Sequence, residues 1–325
     1  MAVYTPLTHD EIAAHLTYYD IGELVRFSGI TDGVSNTNFL IVTTKDRYIL
    51  TLFEKRTDPK DLPYFISVME HLAAGGIKCP LPIKAKQGDA IVEIKGHPAI
   101  IISFLEGSGV RRISNAHMGP LGETLARMHT VIEDFEQSRP NTLSLPEWKA
   151  MAQQVMPRAD EIGPDLGDII SSEIDFLTQH WPQSLPSGVI HADLFPDNIF
   201  YQNIGAEVKL TGVIDFYFAC NDFFMYDLAI TMNAWCFERS NHHEFNITRT
   251  SKLLQGYNRV RPISDAELAA LPILARGAAM RFLLTRCYDW LNPEPGAQVT
   301  PKKPDEYLHK LQFHQRVKSS GEYGL

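Results

Sequence analysis

The chain has 325 residues, about twice a typical domain, of which 44% are hydrophobic and 21% charged; one large domain or two lobes is expected, and global disorder is excluded. Thirty lysines and arginines face 39 aspartates and glutamates, a net charge of −9, a field that argues against nucleic-acid and anionic-membrane partners. Cys79, Cys220, Cys236 and Cys287 are too scattered for a zinc site and read as reduced packing residues. No basic segment followed by an apolar core opens the chain, and no 18-residue apolar run interrupts it, so the cytoplasm is the expected location.

In chain order, Thr8 and Glu11 form a capping-box pattern that starts a helix reaching about Tyr18. Runs rich in β-branched and aromatic residues follow at 24–28, 38–43, 48–53, 90–94 and 99–104, with turn residues between them, and predict an antiparallel sheet. Between the third and fourth runs, Leu62, Phe65, Ile66, Met69 and Leu72 recur at helical spacing up to Gly75-Gly76, so one helix crosses the sheet. After Phe104-Leu105-Glu106-Gly107 helical periods dominate. Helices are expected from Ser114 onward and over 145–159, 168–180, 227–237, 243–257, 265–291 and 305–317, with extended pieces only at 189–190, 199–201 and 208–214. The expected division is an α+β chain with a sheet lobe over 1–105 and a larger, mainly helical lobe over 106–325. The first carries 10 basic and 12 acidic side chains and the second 20 and 27, so the acid excess lies in the helical half.

The second half holds the chemistry. Val189 opens VIHADLFPDNIF, which contains His191-x-Asp193 and then Asn198, and the strand ending at Ile214 delivers Asp215. For this composition a random order yields roughly 0.03 copies of His-x-Asp-x4-Asn. Two carboxylates and a carboxamide around a β-hairpin suit phosphoryl transfer: Asp193 orients the attacking hydroxyl and accepts its proton, while Asn198 and Asp215 hold Mg2+ against the phosphates of ATP. His191 reads as a positioning residue of this catalytic loop. In the first half, the turn from Gly29 to Asn38 offers Gly33, Ser35, Asn36 and Thr37 as a phosphate cover, although a plain hairpin turn explains the same residues.

In this order of parts the chain resembles the aminoglycoside phosphotransferase/choline kinase-like family, relatives of protein kinases that phosphorylate small-molecule hydroxyls. The resemblance implies a two-lobed protein kinase-like fold, ATP and Mg2+ as cofactors, and adenine contacts from backbone groups near Ser103 and Leu105. The helix holding Leu121-Gly122 and Met128-His129 resembles the one packed beside the family's catalytic loop. Where the family has a phosphate-binding strand lysine this chain has Thr51, with Lys55 or Arg56 as nearby substitutes and Glu70 as the residue that would have paired with it. Only 11 residues separate Asp215 from Asp227, too few for the segment by which protein kinases grip a polypeptide, so the acceptor is a small molecule. Asp227 is expected to cap the helix that follows it. The segments 50–54, 233–236 and 281–286 resemble those of family members that act on homoserine. Such an acceptor carries a carboxylate and an ammonium, for which Arg281, Arg286, Asn233, Trp235 and Glu238 are the candidate partners. An aminoglycoside, choline or sugar acceptor, or a nucleotide-binding module without turnover, fits the same residues.

Overall fold

The computed structural model describes residues 4–30, 36–54, 57–205, 207–238, 244–293 and 301–324. The chain forms two compact units. One takes the residues up to Glu106 and adds Gly212–Tyr217; the other takes Gly107–Thr211, Phe218–Pro293 and the chain from Pro301.

In the first unit α1 (His9–Leu16) starts on the expected box, with the Glu11 amide donating to Thr8 Oγ1 and the Thr8 amide to Glu11 Oε2. β1 (Leu24–Gly29), β2 (Thr37–Thr43), β3 (Arg47–Leu52) and β4 (Ala99–Ser103) make one antiparallel sheet in that order. β2 shows why: Thr37, Phe39, Ile41 and Thr43 alternate inward, so one face builds the core with Leu50, Leu52 and Ile101. α2 (Leu62–Ala74) buries Leu62, Phe65, Ile66, Met69 and Leu72. The expected strand at 90–94 is a correction. Only isolated bridges form there, Ile91 to Ile100 and Ile94 to His97, in a short hairpin whose turn is Lys95-Gly96, with φ of 52° and 77°.

The second unit is built on α3 (Asn115–Val131), α4 (Leu145–Val155), α5 (Leu166–His180), α6 (Phe224–Trp235), α7 (Ile247–Val260), α8 (Asp265–Leu291) and α9 (Asp305–Arg316). α4 ends four residues short of expectation and continues as a 3-10 turn over Met156–Glu161, where Pro157 has no amide to extend the α-helix. α3 and α7 pack backbone to backbone. A Cβ on Gly122 would lie 2.1 Å from the Leu253 carbonyl oxygen, and one on Gly256 would lie 2.4 Å from that of Gly119. α8 has the length and hydropathy of a membrane-crossing helix but runs through this unit's interior, with Leu271, Leu274, Ala278, Leu283 and Cys287 all buried.

Short strands place the loop of interest. β5 (Ser187–Ile190) pairs antiparallel with β8 (Cys220–Phe223), Ile190 opposite Cys220. β8 was not expected, since Cys-Asn-Asp-Phe has no β-branched residue to signal it. β6 (Ile199–Ile204) pairs with β7 (Glu207–Val213). The β5–β8 pairing sets the start of the loop after β5 beside the start of α6, which begins three residues before the expected Asp227.

Candidate active site

The loop after β5 is built around a residue in an unfavourable conformation. Ala192 has φ of 63°, the left-handed region that costs a residue with a Cβ about 1–2 kcal/mol. Three side chains from elsewhere in the unit hold it. Asp227 accepts the His191 amide at 2.8 Å and the Ala192 amide at 2.9 Å. Arg281 Nη1 donates to the Ala192 carbonyl at 2.7 Å, and Trp235 Nε1 donates to the Leu194 carbonyl at 2.8 Å. Asp227 therefore does not cap its helix, a second correction: Phe223 is the cap residue and Asp227 sits in the first turn, fully buried, bonding the loop instead of the helix amides.

Behind Asp227 the network continues to α3 and α7. His129 Nε2 lies 3.1 Å from Asp227 Oδ2 and Nδ1 lies 2.7 Å from the Tyr257 hydroxyl; Arg261 in turn donates to Tyr257 and to Glu267. The Gly122 and Gly256 contact brings α3 and α7 close enough for this pair to meet. Burial pulls the His129 imidazole below its ordinary value despite Asp227, so it is neutral and donates through Nε2. For Asp227, burial alone would raise the carboxyl, but the hydrogen bonds it accepts from His129 and from the loop amides hold it below the usual range as a carboxylate. None of this network was read from sequence except the His129 helix, flagged by its resemblance.

On the loop itself, His191 is buried and its Nδ1 accepts the Asp193 amide at 3.2 Å, so it positions the loop. Asn198 Nδ2 donates to the Asp193 carbonyl at 2.8 Å and to Asp193 Oδ2 at 3.1 Å. Both are acceptors, so the amide nitrogen must face them, and the amide oxygen is left on the other side. That oxygen and the carboxylate of Asp215 are hard ligands of the kind Mg2+ takes together with substrate phosphates. Among the described residues no three His, Cys, Asp or Glu side chains gather into a self-sufficient metal site.

The remaining candidates belong to the sheet unit. Asp215 follows β7 with φ of 66°, and the Val213 amide before it bonds the Lys78 carbonyl at 2.9 Å. Tyr217, two residues on, packs edge-on against Phe53 and Phe65 at 5.0 and 5.9 Å and hydrogen-bonds Thr51; burial foremost, then the charge of Asp215, raises its phenol. Thr51 Oγ1 donates to Asn38 Oδ1 at 2.8 Å. A neutral relay thus fills the position of the strand lysine, and Glu70 pairs with Lys84 at 3.0 Å. Thr37 accepts the Tyr4 and Thr5 amides and donates to Glu54 at 2.7 Å, and Asn36 Oδ1 accepts the Glu54 amide. Gly33, Ser35, Lys55 and Arg56 lie outside the described residues. Ser103 exchanges hydrogen bonds with Leu81 through its amide and hydroxyl, and the Leu105 side chain covers Gly212.

Of the proposed acceptor contacts, four have polar groups committed within the helical unit. Asn233 bonds the Ala275 carbonyl and His314, Trp235 bonds the loop, Glu238 pairs with Arg249, and Arg286 bonds Glu306 and the Lys303 carbonyl. Arg281 is 2% exposed, and its Nε has no hydrogen-bond partner.

An antiparallel sheet unit followed by a mainly helical unit, whose loop after β5 is clamped from the first turn of the next helix, is the architecture of a kinase-like phosphotransferase. Residues 26–263 match the model of the phosphotransferase enzyme family, and the chain belongs to that family. It is 52% identical to a homoserine kinase of Rhizobium rhizogenes over 325 residues, which covers 100% of this chain and 99% of that protein. Among solved structures it resembles an amicoumacin kinase in complex with AMP-PNP and Ca2+ (TM-score 0.70, 17% identity, 95% of this chain and 92% of that one). It also resembles a spectinomycin phosphotransferase in complex with ADP and spectinomycin (TM-score 0.68, 12% identity, 98% of each).

Proposed function

We propose that the chain transfers the γ-phosphoryl group of ATP to the side-chain hydroxyl of L-homoserine, giving O-phospho-L-homoserine and ADP on the route to threonine. The end-to-end identity of about half with a homoserine kinase carries this reading, and the loop chemistry agrees with it.

Asp193 orients the acceptor hydroxyl and takes its proton as the new P–O bond forms. Asp193 is kept in place because its own amide is bound to His191 and its carbonyl to Asn198. Asn198 and Asp215 would hold Mg2+, which when bound neutralises charge on the transferring phosphoryl group. Because the transition state is loose, positioning and electrostatics supply most of the acceleration. Clamping the loop through Asp227, Arg281 and Trp235 sets that geometry before substrate arrives. A cytoplasmic location suits an ATP-consuming biosynthetic step.

A coupled ADP-release assay against homoserine, choline, aminoglycosides and simple sugars tests the reading. Homoserine should support the highest kcat/KM by at least about 100-fold, in the range that a site built to hydrogen-bond its substrate achieves. Greater activity on another alcohol, or none on any, sinks it.

A further inference from the structure

Tyr307, in the first turn of α9, is 0% exposed and its hydroxyl has no hydrogen-bond partner. Buried hydroxyls are normally satisfied, so an orphan next to a reaction centre calls for a ligand group. Ring contacts lead from it to the catalytic loop: Tyr307 packs on Phe282 at 5.1 Å and Phe282 on Phe195 at 5.0 Å. The Phe195 amide donates to the Asp193 carbonyl at 2.8 Å.

The charges around the ring are mostly positive. Arg286 lies 4.4 Å over it and Lys310 Nζ 4.3 Å from its centre, and both pair with the single carboxylate of Glu306. Arg281, one turn earlier than Arg286 on α8, lies 4.7 Å over Phe282 and brings the second buried orphan, its Nε. Three cations thus stand against the carboxylates of Glu306 and Asp193. Burial raises the Tyr307 phenol well above its ordinary value, so the hydroxyl stays protonated and can donate.

On the reading that the chain phosphorylates homoserine, we propose that Tyr307 is a specificity-determining residue whose hydroxyl, with Arg281 Nε, receives the acceptor's α-carboxylate. The acceptor ammonium does not suit this position, since Arg281 Nε can only donate and the surrounding charge is positive. The pair selects amino-acid alcohols over amino alcohols that lack the carboxylate.

The test is Tyr307→Phe, which deletes one oxygen and keeps the ring. The KM for homoserine should rise by about 10-fold or more, the size of one lost hydrogen bond to a charged group, while the KM for ATP stays within about 2-fold. The preference for homoserine over 3-aminopropan-1-ol, its decarboxylated counterpart, should shrink by the same factor. The apo melting temperature should not fall, because no partner is lost, and the thermal shift that homoserine produces in the wild-type protein should diminish. An unchanged homoserine KM, or an equal loss with both acceptors, overturns the assignment. Wild-type protein inactive on homoserine overturns the underlying reading as well, whereas normal wild-type turnover with an unaffected Phe variant overturns Tyr307 alone. In parallel, homoserine amide should bind the wild-type protein at least about 10-fold more weakly than homoserine; equal affinity counts against a carboxylate site without any variant.

Discussion

The two units solve the positioning of reactive groups in opposite ways. In the helical unit a strained loop is held by two buried charges, Asp227 on two amides and Arg281 on one carbonyl, with the neutral His129 and Tyr257 behind Asp227. In the sheet unit the contacts are made mostly by neutral groups. Thr51 joins Asn38 and Tyr217 where a lysine is expected, and the Thr37 hydroxyl fastens the end of the glycine-bearing turn to the Glu54 side chain. Buried charges fix geometry firmly but are costly to lose, because each leaves unpaired partners in a poorly solvating interior; neutral contacts are individually modest. Damage should therefore be deep in the helical unit and shallow in the sheet unit.

The largest effect is expected for Asp227→Ala. It orphans the His191 and Ala192 amides and His129 together, so denaturant unfolding should show a loss of about 3–5 kcal/mol together with reduced turnover. A loss under about 1 kcal/mol would mean that the loop holds itself and would remove the contrast. Asp193→Ala comes next: turnover should drop by at least ~100-fold, the scale of general-base catalysis, with nucleotide affinity by calorimetry almost unchanged. Near-normal turnover would exclude Asp193 as the base.

A pH series sharpens the comparison. Burial first, then the cations Lys310 and Arg276, pushes His314 down to about 3 from 6.5. The folded state therefore binds fewer protons than the unfolded chain, and this stabilisation is complete above pH 6.5 and drains as pH falls toward 3. The slope approaches about 1.4 kcal/mol per pH unit. For Glu306, burial opposes ionisation, but Lys310 and Arg286 prevail and bring it to about 2 from 4.5; its stabilisation is lost between those values as the solution is acidified. Melting temperature should fall from pH 6.5 downward, and His314→Gln should flatten the upper part of that decline. A wild-type curve that stays level from pH 7.5 to 5 would contradict the neutral buried imidazole. The smallest effect belongs to Thr51→Val, which should cost about 1 kcal/mol and shift nucleotide affinity less than about 3-fold. A much larger affinity loss would show that the hydroxyl does the missing lysine's work.

Legibility varied with the kind of signal. The span of α8, 265–291, was read to the residue: a Ser264–Glu267 capping box marks its start, and its buried side is mostly apolar although Arg281 and Arg286 lie along it. The segment 90–94 makes only isolated bridges, which its β-branched composition does not distinguish from a regular strand, and β8 was missed because its pairing with β5, not its own residues, makes it a strand. His191, Asp193, Asn198 and Asp215 stood out as a spaced pattern. Asp227 was noticed but given a local role, since a carboxylate in the first turn of a helix ordinarily bonds that helix. Nothing local distinguishes an aspartate that turns instead to amides 35 and 36 residues earlier.

From sequence alone came the order of sheet, crossing helix and helical half, together with the candidate site residues, because periodicity and short motifs are properties of neighbouring residues. Tertiary structure alone decided which groups hold the loop, that Thr51 is bonded within a neutral relay, and that Tyr307 and Arg281 keep unsatisfied donors. Those facts depend on which distant atoms share a buried space, and hydrogen-bond satisfaction in such a space is set by the whole fold.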